Sequence, residues 1–447
     1  MLSVHFPACR SRFSSLFPQL GARFLATEVT SGRQIDRRTI LVHGVSTPNQ
    51  LSDLLDQVRV GPLESICHES SAERAFLSFL DANSAGKFAS RLMRVKPEAN
   101  VRNYIGENSH KVAAEVIAAV GSRQASRCIV INPMPKGITE DSLKQELSRF
   151  GEVEKVEIIR KSEETSFGRV HFYNIWSASM ANLTLRMEDS MKGAKVHFAP
   201  ERLDLDMQLA LKEMKQHPDD TLSSEPFTAV LTDLASPVTL NKVLSLVRSA
   251  TVASQGEVLQ SIVSQADGQR FYLNFVRSAD ALLFVNAFNS QVPKALPEGG
   301  KVALIPPRRS ALPRIQTIRA VRLGATRTLG IFGISDWRRV NHARINDDFS
   351  KFGRIIDISI VKENNCAFIR YADIVYAMRA VERVFISNRQ FRRYAGAKVT
   401  FVQEDQSVIP RIMPVSIPTI EEQEKEESDG VQEAPAADKI SEALAVH

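Results

Sequence analysis

A pattern that recurs four times along the 447 residues constrains this chain more than any other feature. Each copy opens with a short apolar strand, then runs through a helical segment, a second strand and a polar loop. An aromatic-bearing third strand, a second helix and a last strand complete it. The opening strands are Ile40 to Val45, Cys128 to Pro133, Ala229 to Leu234 and Leu329 to Ile334. The third strands end in Phe76 to Phe79, Arg169 to Phe172, Tyr272 to Phe275 and Phe368 to Tyr371. The separation between these landmarks hardly changes from copy to copy, which points to a row of small units and not one large core.

The helical segments support the repeat. Thr139 to Gly151 starts with a threonine cap followed by Glu140 and Asp141, and it ends at a glycine suited to a helix stop. Leu143, Leu147 and Phe150 line one face of it. The fourth copy repeats the ending in Asp347 to Gly353 and continues into the strand Arg354 to Ile360. Two βαβ halves in this order predict an α+β unit, a four-stranded antiparallel sheet backed by two helices in the ferredoxin-like layout.

These residues resemble the RNA recognition motif (RRM) across about residues 37 to 405. The second copy carries an octamer-like Thr165 to Phe172 and the fourth an octamer-like Asn364 to Tyr371. The chain is similar to fungal four-RRM proteins of the negative-regulator-of-differentiation type. Their lead-in before certain RRMs is matched by Ile318 to Arg327 and more loosely by Ile117 to Arg127, and their Asn-Cys-Ala-Phe third strand by Asn365 to Phe368. The resemblance implies four tandem RRM (βαββαβ) domains at 37–107, 126–200, 226–307 and 326–405, arranged as two pairs. A charged linker would occupy 201–225 and a basic linker 308–325.

In an RRM the two central strands present alternate side chains to solvent, and aromatic rings there stack on bases. At the second hexamer position, which is normally aromatic, stand Leu41, Ile129, Val230 and Gly330. The octamer positions supply Arg74 and Phe76, Phe167 and Arg169, Arg270 and Tyr272, then Phe368 with Arg370 following it. Phe332, two residues beyond Gly330, is placed to replace the missing ring. Phe76, Phe167, Tyr272 and Phe368 are therefore expected as stacking platforms, foremost in the fourth and second copies. Arg74, Arg169, Arg270, Arg370 and Arg327 are expected as phosphate or base contacts. The competing reading is that these faces, lacking hexamer aromatics, are covered by helices, neighbouring modules or partner proteins. Phe79, Phe172, Phe275 and Tyr371 alternate to the other side and are expected in the core.

Charge is consistent with RNA. The net charge of +6 conceals an acidic end, since Glu421 to His447 carries −7 and leaves +13 elsewhere. A basic body attracts phosphate, although the same excess also keeps a protein in solution. No Asp or Glu precedes Glu28, and Phe13, Leu16, Phe17, Leu20 and Phe24 fall on one helical face. Residues 1–26 therefore read as a mitochondrial presequence, with Arg23 placed for matrix cleavage, despite Pro18 interrupting the helix; a plain basic leader is the alternative. Residues 406–447 read as a disordered acidic tail. The four cysteines stand far apart with no metal-ligand spacing, and neither a catalytic motif nor an apolar run long enough to span a membrane occurs. The expectation is a mitochondrial matrix protein that is not an enzyme and needs no cofactor. It would bind single-stranded RNA, messenger RNA first, and possible protein partners would belong to a ribonucleoprotein.

Overall fold

The computed structural model describes residues 37–402, apart from 105–111, 135–136, 161–165, 189–192, 201–226, 235, 252–257, 266–267, 296–299, 306–314, 335–336, 387–390 and 395. The expected presequence, the linker 201–225 and the acidic tail beyond 402 lie outside the described residues.

The first module runs β1 (Thr39–His43), α1 (Pro48–Val58), β2 (Leu63–Glu69), β3 (Arg74–Phe79), α2 (Ala82–Val95) and β4 (Val101–Tyr104). A helix α3 (Ala114–Arg123) precedes the second module, which is β5 (Cys128–Asn132), α4 (Glu140–Leu147), β6 (Val153–Arg160), β7 (Ser166–Phe172), α5 (Ile175–Leu185) and β8 (Lys195–Phe198). The third module is β9 (Thr228–Thr232), α6 (Leu240–Ala250), β10 (Leu259–Gln265), β11 (Arg270–Phe275), α7 (Ser278–Ala295) and β12 (Lys301–Ile305). Helix α8 (Ile315–Arg322) leads into the fourth: β13 (Thr328–Phe332), α9 (His342–Phe349), β14 (Ile355–Val361), β15 (Cys366–Tyr371), α10 (Ile374–Ile386) and β16 (Lys398–Phe401). Every sheet is antiparallel with the order second, third, first, fourth strand, so the expected α+β repeat is present four times.

Local chemistry explains the elements. Thr47 and Thr139 cap α1 and α4 with reciprocal capping boxes, each hydroxyl accepting the N–H of the residue three places on. After α4 and α9 the chain turns at Gly151 (φ 144°) and Gly353 (φ 152°), which lie in the left-handed region. There a Cβ would come within 2.1 Å of Ser177 Oγ or of the Tyr376 ring, so only glycine fits. The position-eight aromatics Phe79, Phe172, Phe275 and Tyr371 are fully buried, as their alternation predicts.

All four second strands carry a β-bulge, at Glu64, Glu154, Gln260 and Ile356. In the first two modules the bulged glutamate meets an arginine placed just before the first strand. Arg38 pairs with Glu64 and donates to Phe79 O at 2.9 Å; Arg127, fully buried, reaches Glu154 at 3.2 Å and Phe172 O at 2.9 Å. The third module has lost the pair. Phe227 stands in the arginine's place and Gln260 Oε1 is buried with no hydrogen-bond partner among the described residues.

The modules dock in pairs by one device used twice. The second strand is a sheet edge, and beyond its bulge it offers an outward N–H. Ile66 N–H donates to Tyr173 O of the second module at 2.7 Å, and Ile262 N–H donates to Ala372 O of the fourth at 2.9 Å. Bridges Ser65–Asn174 and Ser261–Asp373 accompany them, and Tyr173 and Ala372 are buried in the cores of the first and third modules.

Helix α3 then joins the two halves. It runs into the second module, yet it lies on α10 of the fourth, beside α8. At Gly121 the helices approach so closely that a Cβ would sit 2.6 Å from the Ala320 Cβ and 2.4 Å from Met378 Sδ. Arg123 pairs with Glu382 of α10 at 2.7 Å while donating to Ser179 of α5, and Trp176 meets Phe385 edge-on at 5.9 Å. The stretch expected as a basic linker (308–325) is thus helical from Ile315, and its Thr317 and Ala320 are buried.

Gly121→Leu should cost about 1–3 kcal/mol in chemical denaturation, because the inter-helix space is already filled. Glu154→Ala leaves the Arg127 charge buried and should cost about 3–5 kcal/mol, whereas Gln260→Leu, which removes an unsatisfied oxygen, should be neutral or stabilising in the same assay.

Candidate nucleic-acid interface

Cross-strand register decides which side chains share the open face of each sheet. In the first module Leu41 opposes both Phe76 and Arg102, Thr39 opposes Tyr104, and His43 opposes Arg74. The Phe76 and Tyr104 rings meet diagonally across the small Thr39, with centroids 4.8 Å apart at an interplanar angle of 70°. The Arg74 guanidinium lies 5.2 Å from the Phe76 centroid and is held by Glu69 at 2.6 Å. Arg102 is exposed beside them and its Nε donates to Asn100 at 3.2 Å. Tyr104 is 39% exposed.

In the second module the register is offset by one residue from the sequence reading. Val130, not Ile129, opposes Arg169; Ile129 opposes Val170, and both of those are fully buried in the core. Cys128 is the counterpart of Thr39, Thr228 and Thr328, each one residue before the first core position, and apolar residues on both faces of β5 hide that alternation. Phe167 and Arg169 do share the sheet face, as expected, and Arg169 stands 3.9 Å from Glu157. The far end of that face is closed, with Cys128 and His171 buried and 3.7 Å apart.

The third module presents Tyr272, half-buried, opposite Val263, an apolar side chain that is 43% exposed. Arg270 is exposed at the strand end.

The fourth module differs. Gly330 opposes Phe368, and its missing Cβ makes room for Phe332, whose ring would lie 2.4 Å from such an atom. Phe332 packs edge-on against Phe368 at 5.8 Å, so it does take the place of the absent hexamer ring. Phe368, however, is only 6% exposed. Two of the expected arginine contacts are also withdrawn. Arg370 is 8% exposed and reaches Asn241 of the third module at 3.5 Å and Asp357 at 3.9 Å, which makes it part of the pair interface. Arg327 is 2% exposed and occupies the position before the first strand that Arg38 and Arg127 hold in the first two modules. Arg319, in α8, is also drawn out of water, which lowers its pKa, with Asp81 of the first module acting in the opposite sense. Arg308, Arg309, Arg314 and Arg389 lie outside the described residues.

Tyr104 lies on the edge strand β4, outside the hexamer and octamer positions. The alternation Arg102, Tyr104 in a last strand was the available signal. Among the described residues no group of three or more His, Cys, Asp and Glu side chains could hold a metal, and no helix is long and apolar enough to cross a membrane.

Comparison with known proteins agrees with this architecture. The RNA recognition motif family model matches residues 129–192 and 338–389. The chain is 23% identical over 397 residues to the RNA-binding protein MRN1 of Saccharomyces cerevisiae, covering 78% of this chain and 63% of the relative. It is 22% identical over 373 residues to the meiotically up-regulated gene 24 protein of Schizosaccharomyces pombe, covering 78% and 53%. The chain thus spans less than two thirds of either relative. Among solved structures, the three N-terminal RNA-binding domains of the yeast splicing factor Prp24 align with 62% of this chain and 99% of their own at 16% identity. Their TM-score is 0.15, too low to bear on how the modules are arranged. Four sheets of one order, each backed by two helices, with family matches in the second and fourth of them, give this chain four RRM-like modules and a likeness to multi-RRM RNA-binding proteins.

Proposed function

We propose that this protein binds single-stranded RNA, messenger RNA in particular, and serves mitochondrial RNA metabolism or translation as a binding protein and not as an enzyme. The observation that carries the RNA reading is the first module's open face, where two touching rings share the sheet with Arg74 and Arg102. Rings of this kind accept bases of any sequence, and flanking guanidinium groups suit the phosphates. The acid-free segment before Glu28 motivates the organelle.

A second reading, a protein scaffold within a mitochondrial ribonucleoprotein, is favoured by one feature. In the fourth module Phe368 is buried, and the second hexamer position opposite it is Gly330, which carries no ring.

Ultraviolet crosslinking of the native protein in cells, with sequencing of the attached RNA, separates these readings. Mitochondrial transcripts support both parts of the proposal, cytosolic transcripts overturn the localisation, and an empty crosslink favours the scaffold. In solution, affinity for RNA should fall steeply with salt. A slope of log K against log salt equivalent to about three or more phosphate contacts is the expected outcome, and a flat profile would contradict phosphate binding.

A further inference from the structure

We infer that the first module carries the principal base-stacking platform of this chain and that the fourth, despite its clearer family signature, is architectural. The inference rests on the RNA-binding reading above and assigns its site.

A base can stack only on a ring whose face it can reach. Phe76 and Tyr104 come from β3 and from the edge strand β4, on either side of β1, and Tyr104 is exposed at the end of β4. On β1 between them, Thr39 opposes Tyr104 and Leu41 opposes Phe76. Glu69 holds the Arg74 guanidinium 5.2 Å from the Phe76 centroid, and Arg102, exposed on β4 across Leu41 from Phe76, supplies a second cation. The resulting site fits two consecutive unpaired nucleotides, with bases on the rings and phosphates towards the arginines.

The fourth module has the same kinds of residue in a different state. Phe368 is buried beneath its own sheet neighbours, Phe332 edge-on and Val402 packed above Gly330. Arg370, which would flank a stacked base, is turned to Asn241 of the third module. The module's helices are occupied as well, since α10 receives α3 from the other half of the chain. Stacking on Phe368 would require this packing to be undone first.

The test uses the full-length chain and a fluorescein-labelled, mixed-sequence single-stranded RNA of about 20 nucleotides, long enough to span more than one module. Leucine replaces the rings, so apolar area is kept and the π-face is lost. Phe76→Leu with Tyr104→Leu should weaken binding at least about tenfold, and Phe368→Leu should change it by less than about threefold. Phe76→Tyr with Tyr104→Phe, which keeps both rings, should bind like the unsubstituted chain, a rescue that mere damage to the fold would not show. Equal losses for the two leucine variants, or a larger loss for Phe368→Leu, would overturn the assignment. If the unsubstituted chain binds no RNA at all, the RNA-binding reading itself fails and the assignment fails with it.

Discussion

Helix α3 is apolar around almost its whole circumference, and the arrangement of the four modules depends on where it is buried. Ala114, Val116 to Val120 and Gly121 are all inaccessible to water. A helix with no polar face cannot lie on a surface; it needs neighbours on every side. The neighbours come from different parts of the chain: Leu80 of the first module, Ile175 of the second, Ala320 of α8, and Ala377, Met378 and Val381 of the fourth. The small residues Ala118, Ala119 and Gly121 let the helix axes approach closely. Its first turn places Glu115 near Glu64 of the first module and Lys398 of the fourth, where burial pushes the carboxyl pKa up. Ten residues written between two domains therefore carry contacts that hold the halves of the molecule together.

The pair contacts below this level follow from the β-bulge. In a regular edge strand the outward N–H groups are solvated, and no single one is preferred as a docking point. The bulge breaks the ladder beside Glu64 and Gln260, and the N–H groups of Ile66 and Ile262 are taken by the module that follows. The same bulge turns its extra side chain inward, which is why Glu64 and Glu154 can meet Arg38 and Arg127. Where the pair has decayed, the position has changed purpose. Ile356, at the bulge of the fourth module, packs against the core of the third. One backbone irregularity thus serves ion pairing in the first two modules and inter-module contacts in the first, third and fourth.

Much of this was legible in the sequence, for identifiable reasons. The repeat, the strand order and the buried Phe79, Phe172, Phe275 and Tyr371 follow from spacing and alternation, which tertiary context seldom overrides. The register of β5 was misread because Cys128, Ile129, Val130 and Ile131 are all apolar, and a strand without alternation does not declare its faces. Arg327 and Arg370 looked like RNA contacts because arginine is usually solvated. Their burial depends on a neighbouring strand and a neighbouring module, which local pattern does not encode. Helix α3 was visible only as a lead-in: its apolar run has no polar stripe to mark a helix face, and its ion-pair partner Glu382 lies 259 residues away.

The same separation of local signal from tertiary context bears on the proposed RNA site. An RRM signature is a record of strand sequences, and it is preserved whenever those strands must pack well. A sheet face that serves as an internal surface is under that demand on both sides. The fourth module meets it with Cys366 to Tyr371 buried at every position along β15. The first module meets it on one side only, and its β3 alternates half-buried and buried residues from Arg74 to Phe79. Alternation of that kind leaves one face free of packing demands, so its rings and cations are available to a ligand. A strand buried on both faces has spent the same residue types on the frame. The clearest motif and the most accessible site therefore need not coincide, and in this chain the architecture places them in different modules.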